Sequence, residues 1–341
     1  MNKEKIKNII EKCLMESPCK LDVCYDEPMS AHTTFRVGGP ADCWVQPKQR
    51  KDEFPAFCVS LLNHARSAGV PVFILGGGAN IVVSDKGIRG ITLDAGGWKG
   101  QTLKDNELII YSGTTMDEAA EYAANAGLGG LEFLAGMPGT TGGAVWMNAR
   151  CYGRETADAL TWTEIICYER LSANNGQLAM NNEYGIEVKE KKEDNVYIIK
   201  KVVTGNGSGF GYKLSPFQSM DCFILRACFS LKPGDKDAIY KKMEMNRKDR
   251  KEKGHYLFPC AGSVFKNNRD FGKPAGVIID ELGLRGLRFG GAQVAPFHGN
   301  IIINAGNATA SDIRALADKV AAIVKEKAGF ILEPEILFFG E

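Results

Sequence analysis

Between residues 51 and 68 the apolar positions Phe54, Phe57, Cys58, Leu61, Leu62 and Ala65 recur three and four apart. That is the spacing that lines one face of an α-helix. Pro55 suits the first turn and Gly69 the stop. Val70 to Leu75 then forms a largely β-branched and aromatic run, with Pro71 near its start. It ends in Gly76-Gly77-Gly78-Ala79-Asn80, after which Ile81 to Ser84 again has strand character. A strand-like stretch from Glu107 to Ser112 precedes Thr115-Met-Asp-Glu118, a capping box that opens an alanine-rich helix stopped at Gly127. The amino-terminal MNKEKIKNIIEKCLMES is amphipathic and helical by the same criteria, with acidic residues among its basic ones.

The densest small-residue cluster follows at Gly136-Met-Pro-Gly139-Thr140-Thr-Gly142-Gly143-Ala-Val-Trp-Met-Asn148. Residues 154–232 alternate short strands with turns, and Lys189 to Asn195 is charged enough to be a solvated loop or hairpin tip. A Lys- and Met-rich helix between about 233 and 255 changes the composition and marks an expected domain boundary. Near the carboxyl terminus, Thr309-Ala-Ser-Asp312 opens a helix with Ile313, Leu316, Val320 and Val324 on one face. Gly329 ends it, and Ile331 to Phe339 is predicted as the last strand.

The glycine clusters bear on function through their place in this order. A dinucleotide fingerprint of the GxGxxG type opens a helix, whereas Gly76–Asn80 joins two strands, so that reading is weak. Two glycine-rich loops on strand ends within one half of the chain instead suggest backbone N–H groups able to approach a phosphate-bearing cofactor, a flavin or a nucleotide. Composition agrees. Glycine is 39 of 341 residues, with 17 of them between Gly69 and Gly143, while 44% of the chain is hydrophobic. Basic and acidic residues number 42 and 41, a net charge of +1. No electrostatic footprint for nucleic acid or a membrane surface is present, which leaves a small-molecule partner. Ten scattered cysteines without a CxxC pair, and only four histidines, point to reduced, mostly buried thiols and no metal site. A reducing cytoplasm fits this usage. Ser263 lacks a GxSxG elbow and nearby triad partners, so hydrolase chemistry has little support.

Six ordered motifs then carry a resemblance. They are Ala31 to Asp42 (AHTTFRVGGPAD), Leu75 to Asn80 (LGGGAN), Gly130 to Val145 (GLEFLAGMPGTTGGAV), Ala261 to Asn267 (AGSVFKN), Gly290 to Val294 (GGAQV) and Leu332 to Glu335 (LEPE). Together they resemble the UDP-N-acetylenolpyruvoylglucosamine reductase (MurB) family across nearly the whole chain. The short segment between Phe217 and the Lys/Met-rich helix is similar to its type II branch.

The resemblance implies an α+β protein: an FAD-binding domain of two α+β subdomains, of the PCMH or vanillyl-alcohol-oxidase type, plus a carboxyl-terminal α+β substrate domain. The corresponding division is 1–92 joined by the strand at 328–341, then 93–232, then the substrate domain at 233–327. It implies FAD held by Arg36, Gly76, Gly77, Gly78, Ala79, Asn80, Gly136, Pro138, Gly139, Thr140, Gly142 and Gly143. NADPH reduces the flavin and is replaced by UDP-N-acetylglucosamine enolpyruvate, in a monomeric protein. Ser263 takes the role of proton donor, Glu335 that of second acid or orienting group, and Lys213 stands at the family's catalytic arginine. Tyr212, Lys266, Asn267 and Gln293 become substrate contacts, with Lys266 a cation able to assist Ser263.

Two departures stand out. Lys213 has the charge of the family's arginine without its planar fork, and Arg150 replaces a family glycine just after the second glycine loop. Arg150 is thus a candidate for supplying part of the missing fork. Two alternatives remain: a related FAD oxidase of an alcohol or sugar, and a flavin-binding homologue weakened by the lysine.

Overall fold

The computed structural model describes residues 3–48, 53–170, 195–203 and 209–340. Residues 189–194 of the charged segment lie outside them. The chain divides into two compact units. The first comprises Met1–Cys24, Cys43–Gly76 and Gly90–Met243, and the second Tyr25–Asp42, Gly77–Arg89 and Glu244–Glu341. The last of these cuts falls inside the Lys/Met-rich helix, Lys236–Glu252.

In the first unit, helix Phe54–Ser67 forms where the apolar spacing predicts, with Pro55 in its first turn. It packs with the amino-terminal helix Lys3–Glu16 through Ile6, Ile9, Ile10 and Cys13. Strand Val72–Leu75 pairs in parallel with Ile88–Asp94, in a sheet ordered Leu21–Pro28, Pro40–Pro47, Ile88–Asp94, Val72–Leu75. A second, five-stranded sheet is antiparallel throughout, in the order Asn195–Val203, Leu160–Arg170, Cys222–Ser230, Glu107–Tyr111, Gln101–Lys104.

Both faces of this second sheet are buried. Ile165, Ile198 and Ile224 point to one side, into a core shared with Ala119, Ala123, Leu134 and Val145. Ile166, Tyr197, Phe223 and Leu225 point to the other, among Phe54, Phe57 and Leu61. Side chains alternate across a strand, so covering both faces makes successive positions apolar.

In the second unit, the helix predicted from Thr309 runs Ala310–Ala328. Its capping box with Asp312 is formed, and Gly329 closes it in the left-handed conformation. Asp85 reinforces that start, its carboxylate accepting from Ala310 N at 2.7 Å and from Ser311 N and Oγ at 3.0 and 2.6 Å. The helix packs on a three-stranded antiparallel sheet, Arg288–Phe289, Ala292–Val294 and Ile302–Asn304, around Ile278, Val294, Ile313 and Leu316.

Two predicted elements differ from what forms. The last strand is Leu337–Phe339 alone, because Pro334 lacks a ladder donor and meets Phe265 only through an isolated bridge. Its partner is Ile81–Val83, in parallel. The two strands joined by Gly76–Asn80 therefore lie in different sheets. Within the second glycine cluster, Thr141–Trp146 is a short helix rather than loop. A Cβ on Gly142 would lie 2.8 Å from Ser112 Cβ, so glycine there permits the close approach.

None of the ten cysteines is in a disulfide, and none is fully exposed. Among the described residues no helix is long and apolar enough to cross a membrane. His255 and His298 lie 6.3 Å apart between ring centroids in the second unit. Burial, with Arg250 and His298 adding, lowers the His255 pKa to about 4, and burial lowers that of His298. The folded chain thus resists protons that the unfolded chain binds below the ordinary value of 6.5. Stability should be fully present above that value and decline as pH falls toward 4. Urea midpoints should accordingly drop between pH 7 and pH 5, and His255→Gln should remove part of the drop. An unchanged difference in the variant contradicts the assignment.

Candidate functional site

In the first unit the second glycine cluster is bound to the segment 112–118. Met116 N donates to Gly139 O at 3.3 Å, and Thr141 donates through both N and Oγ1 to Thr114 O, at 2.8 and 2.9 Å. Gly136 N donates to Asp117 Oδ1 at 2.7 Å and Gly142 N to Ser112 O at 2.9 Å. Two of the N–H groups expected to face a phosphate are thus engaged within the protein. Two hydroxyls of this region are unsatisfied, as are Thr92 Oγ1 and Thr163 Oγ1 elsewhere in the first unit. Ser112 Oγ and Thr140 Oγ1 are buried with no hydrogen-bond partner among the described residues, a state that costs about 1–3 kcal/mol per group unless a ligand satisfies it. A Cβ on Gly76 would come within 2.9 Å of Thr140 Oγ1, so glycine there keeps space beside that hydroxyl. Unsatisfied hydroxyls and a glycine-cleared surface fit a phosphate-bearing cofactor.

The short helix Thr141–Trp146 ends on a polar clamp. Trp146 O accepts from Ser215 Oγ at 2.6 Å and from Gln218 Nε2 at 3.0 Å, and Gln218 Nε2 also donates to Lys213 O at 3.1 Å. Asn148, fully buried, donates through Nδ2 to Gly211 O at 2.8 Å and accepts from Ala157 N through Oδ1 at 3.1 Å. Gly211 and Leu214 exchange hydrogen bonds at 3.0 Å in both directions, closing a four-residue turn with Lys213 at φ 58°. Asn148 also has positive φ, 43°, a conformation that asparagine tolerates better than most residues. The result fixes Tyr212 and Lys213 to the end of the glycine-cluster helix. The Arg150 guanidinium lies 5.7 Å from the Tyr212 ring centroid.

In the second unit, Ser263 bridges to Ile301, and the segment after it is held by Asn300. This residue, 3% exposed, accepts from Phe265 N and donates to Phe265 O at 2.9 and 2.8 Å. Glu335 N donates to Val264 O at 2.7 Å, which places Glu335 beside the residue following Ser263. Asn80 Nδ2 donates to Glu335 O at 3.1 Å, tying the first glycine loop to the same strand end. Gly78 has φ 59°, and a Cβ there would lie 2.0 Å from His32 O, so only glycine fits. Arg36 is exposed on the turn below, at φ 56°.

Ser263, Glu335 and Gly77–Asn80 are thus brought together here, whereas Lys213 belongs to the first unit. The remaining predicted contacts are more dispersed. Lys266 Nζ is 3.6 Å from Glu333 Oε2. Asn267 accepts from Ala275 N at 2.9 Å, and Gln293 donates to Gly286 O at 3.2 Å while accepting from Arg288 at 3.0 Å. Asn148, Ser215, Gln218 and Asn300 escaped the sequence reading, since each acts by holding backbone rather than through a recognisable chemical motif. Among the described residues no group of three or more His, Cys, Asp or Glu side chains is arranged to hold a metal ion.

Comparison with known proteins is consistent across the chain. The profile of the UDP-N-acetylenolpyruvoylglucosamine reductase C-terminal domain matches residues 253–339, and an FAD-binding domain profile matches residues 53–169. The UDP-N-acetylenolpyruvoylglucosamine reductase of Borrelia garinii subsp. bavariensis is 38% identical over 310 residues, covering 91% of this chain and 90% of its own. That of Treponema pallidum is 36% identical over 342 residues, covering 92% of each. The crystal structure of UDP-N-acetylenolpyruvylglucosamine reductase (MurB) from Thermus caldophilus has a TM-score of 0.68 at 30% identity, covering 94% of this chain and 99% of that one.

The clamp around Asn148 can be tested directly. Asn148→Ala should lower stability by about 1–3 kcal/mol in urea unfolding, since it leaves buried backbone groups unsatisfied. It should also speed amide exchange at Gly211 and Leu214. Exchange as slow as in the wild type would show that the turn holds without it.

Proposed function

Because the chain belongs to the UDP-N-acetylenolpyruvoylglucosamine reductase family, we propose that it reduces UDP-N-acetylglucosamine enolpyruvate to UDP-N-acetylmuramate with NADPH, a step of peptidoglycan synthesis. It is an FAD-dependent oxidoreductase of α+β fold, with an FAD-binding domain followed by the family's own carboxyl-terminal domain. The observation that carries this reading in the geometry is the pair of buried, unsatisfied hydroxyls, Ser112 Oγ and Thr140 Oγ1, beside the glycine cluster. The oxidase alternative has no comparable support, since the carboxyl-terminal match is to the reductase.

FAD, when bound, supplies the two-electron carrier between NADPH and the enolpyruvyl group. Ser112 and Thr140 would offer hydroxyl donors to it, and Gly76–Asn80, Gly136, Pro138, Gly139, Gly142, Gly143 and Arg36 are the further residues that would hold it. Reduction of the enolpyruvyl double bond leaves negative charge beside a carboxylate, so the protein must supply a proton and a cation. Ser263 delivers the proton, and Glu335, fixed through Val264 O, orients that delivery. Lys213, whose carbonyl Gln218 holds, supplies an ammonium for the carboxylate, and Arg150, near the Tyr212 ring, supplies part of the missing guanidinium fork. Tyr212, Lys266, Asn267 and Gln293 bind the rest of the substrate.

The functional division assigns FAD to 1–92 with 328–341 and to 93–232, and substrate to 233–327. The protein works as a monomer in the cytoplasm.

Stopped-flow half-reactions separate these roles. Ser263→Ala should leave flavin bleaching by NADPH intact and slow reoxidation by the enolpyruvyl substrate by about 10²–10⁴-fold. Equal loss in both halves would remove Ser263 as the donor. Arg150→Ala should raise KM for the enolpyruvyl substrate by roughly 10–100-fold, the loss of a charge-assisted hydrogen bond, with bleaching by NADPH unchanged. An unaltered KM places Arg150 outside the carboxylate site.

A further inference from the structure

Cys167 and Cys222 stand directly opposite one another in the antiparallel pairing of Leu160–Arg170 with Cys222–Ser230. In the adjacent pair, Tyr168 N donates to Asp221 O at 3.1 Å. Hydrogen-bonded and non-hydrogen-bonded pairs alternate along such a ladder, so the cysteines occupy a non-hydrogen-bonded position. Facing Cα atoms are closest there, about 4.5 Å apart, which lies within the roughly 4.4–6.8 Å over which two cysteines can be bridged. Both side chains lie on the face that carries Ile165 and Ile224. The register of the sheet, rather than side-chain mobility, therefore holds the two sulfurs near each other. Neither thiol takes part in the chemistry proposed above.

We propose that Cys167 and Cys222 are a two-electron redox pair, a modification site at which a peroxide closes a disulfide between the two strands. Cys222 is the point of entry, because it is only partly buried while Cys167 is buried. Its thiolate attacks one peroxide oxygen, breaking the O–O bond to give a sulfenic acid and hydroxide, which takes up the proton released by the thiol. The Cys167 thiolate then attacks the sulfenic sulfur and displaces its oxygen, which leaves as water with the Cys167 proton. Two thiols and one hydrogen peroxide thus become one disulfide and two waters.

Burial, Cys167 and Asp221 push the Cys222 thiol up to about 12, which keeps the thiolate scarce and confines the reaction to strong oxidant exposure. The Sγ of Cys222 also lies 3.9 Å from Phe217 O, next to Gln218, which holds the Lys213 turn. Closing the bridge therefore stiffens the sheet against which that turn is fastened.

The test uses the full chain with its flavin. It is treated with hydrogen peroxide, alkylated, digested and read by mass spectrometry. The expected product is a Cys167–Cys222 linked peptide two hydrogens lighter than the separate thiols and cleaved by dithiothreitol. The bridge closes a loop of about 55 residues and should raise the melting temperature by several degrees. Neither change should occur in Cys167→Ser or in Cys222→Ser. Recovery of both cysteines as separately alkylated thiols would overturn the proposal. So would Cys222 trapped as sulfinic acid, or a disulfide formed only among the other eight cysteines.

Discussion

The carbonyl of Trp146 and the amide of Asn148, two residues apart, hold the cation-bearing part of the first unit in place. Through Ser215 and Gln218 the carbonyl collects the segment after the turn, and through Gly211 the amide collects the segment before it. Lys213 has a defined position only because both sides of its turn are fastened. The fastening point is itself the end of the helix in the glycine cluster, so the proposed cofactor surface and the proposed substrate cation share one anchor. Hydrogen bonds of this kind are individually modest. Because Trp146 O accepts twice and Gln218 Nε2 donates twice, the bonds are interlinked and behave as a set.

Much of this was legible in the sequence wherever a local rule acted alone. Helix Phe54–Ser67 and helix Ala310–Ala328 appear where apolar spacing, a first-turn proline, a capping box and a closing glycine agree. The glycine clusters and Ser263 were found because small residues and motif order are visible in one dimension. Asn148 and Asn300 were not, because an asparagine that clamps backbone 35 or 63 positions away has no local signature. The final strand was overextended for a related reason. Ile331 to Phe339 has strand composition, but only Leu337–Phe339 has a partner strand, and the partner lies at Ile81–Val83.

The two groups of candidate residues differ in how they are built. Ser263 and Glu335 sit on irregular backbone held by isolated bridges and by the two-way grip of Asn300 on Phe265. Lys213 and Arg150 instead follow residues such as Phe210 and Ala149 that pack into the core of the five-stranded sheet. In the proposed roles, a proton donor needs direction and a cation needs a stable field, which are different demands.

Lys213 itself adopts a left-handed backbone, φ 58°, which a side chain with a Cβ occupies at a penalty of roughly 1–2 kcal/mol. Glycine would be more comfortable there. The turn therefore carries a charged side chain in a backbone conformation that costs stability. Glycine or asparagine at 213 would relieve that strain and remove the charge.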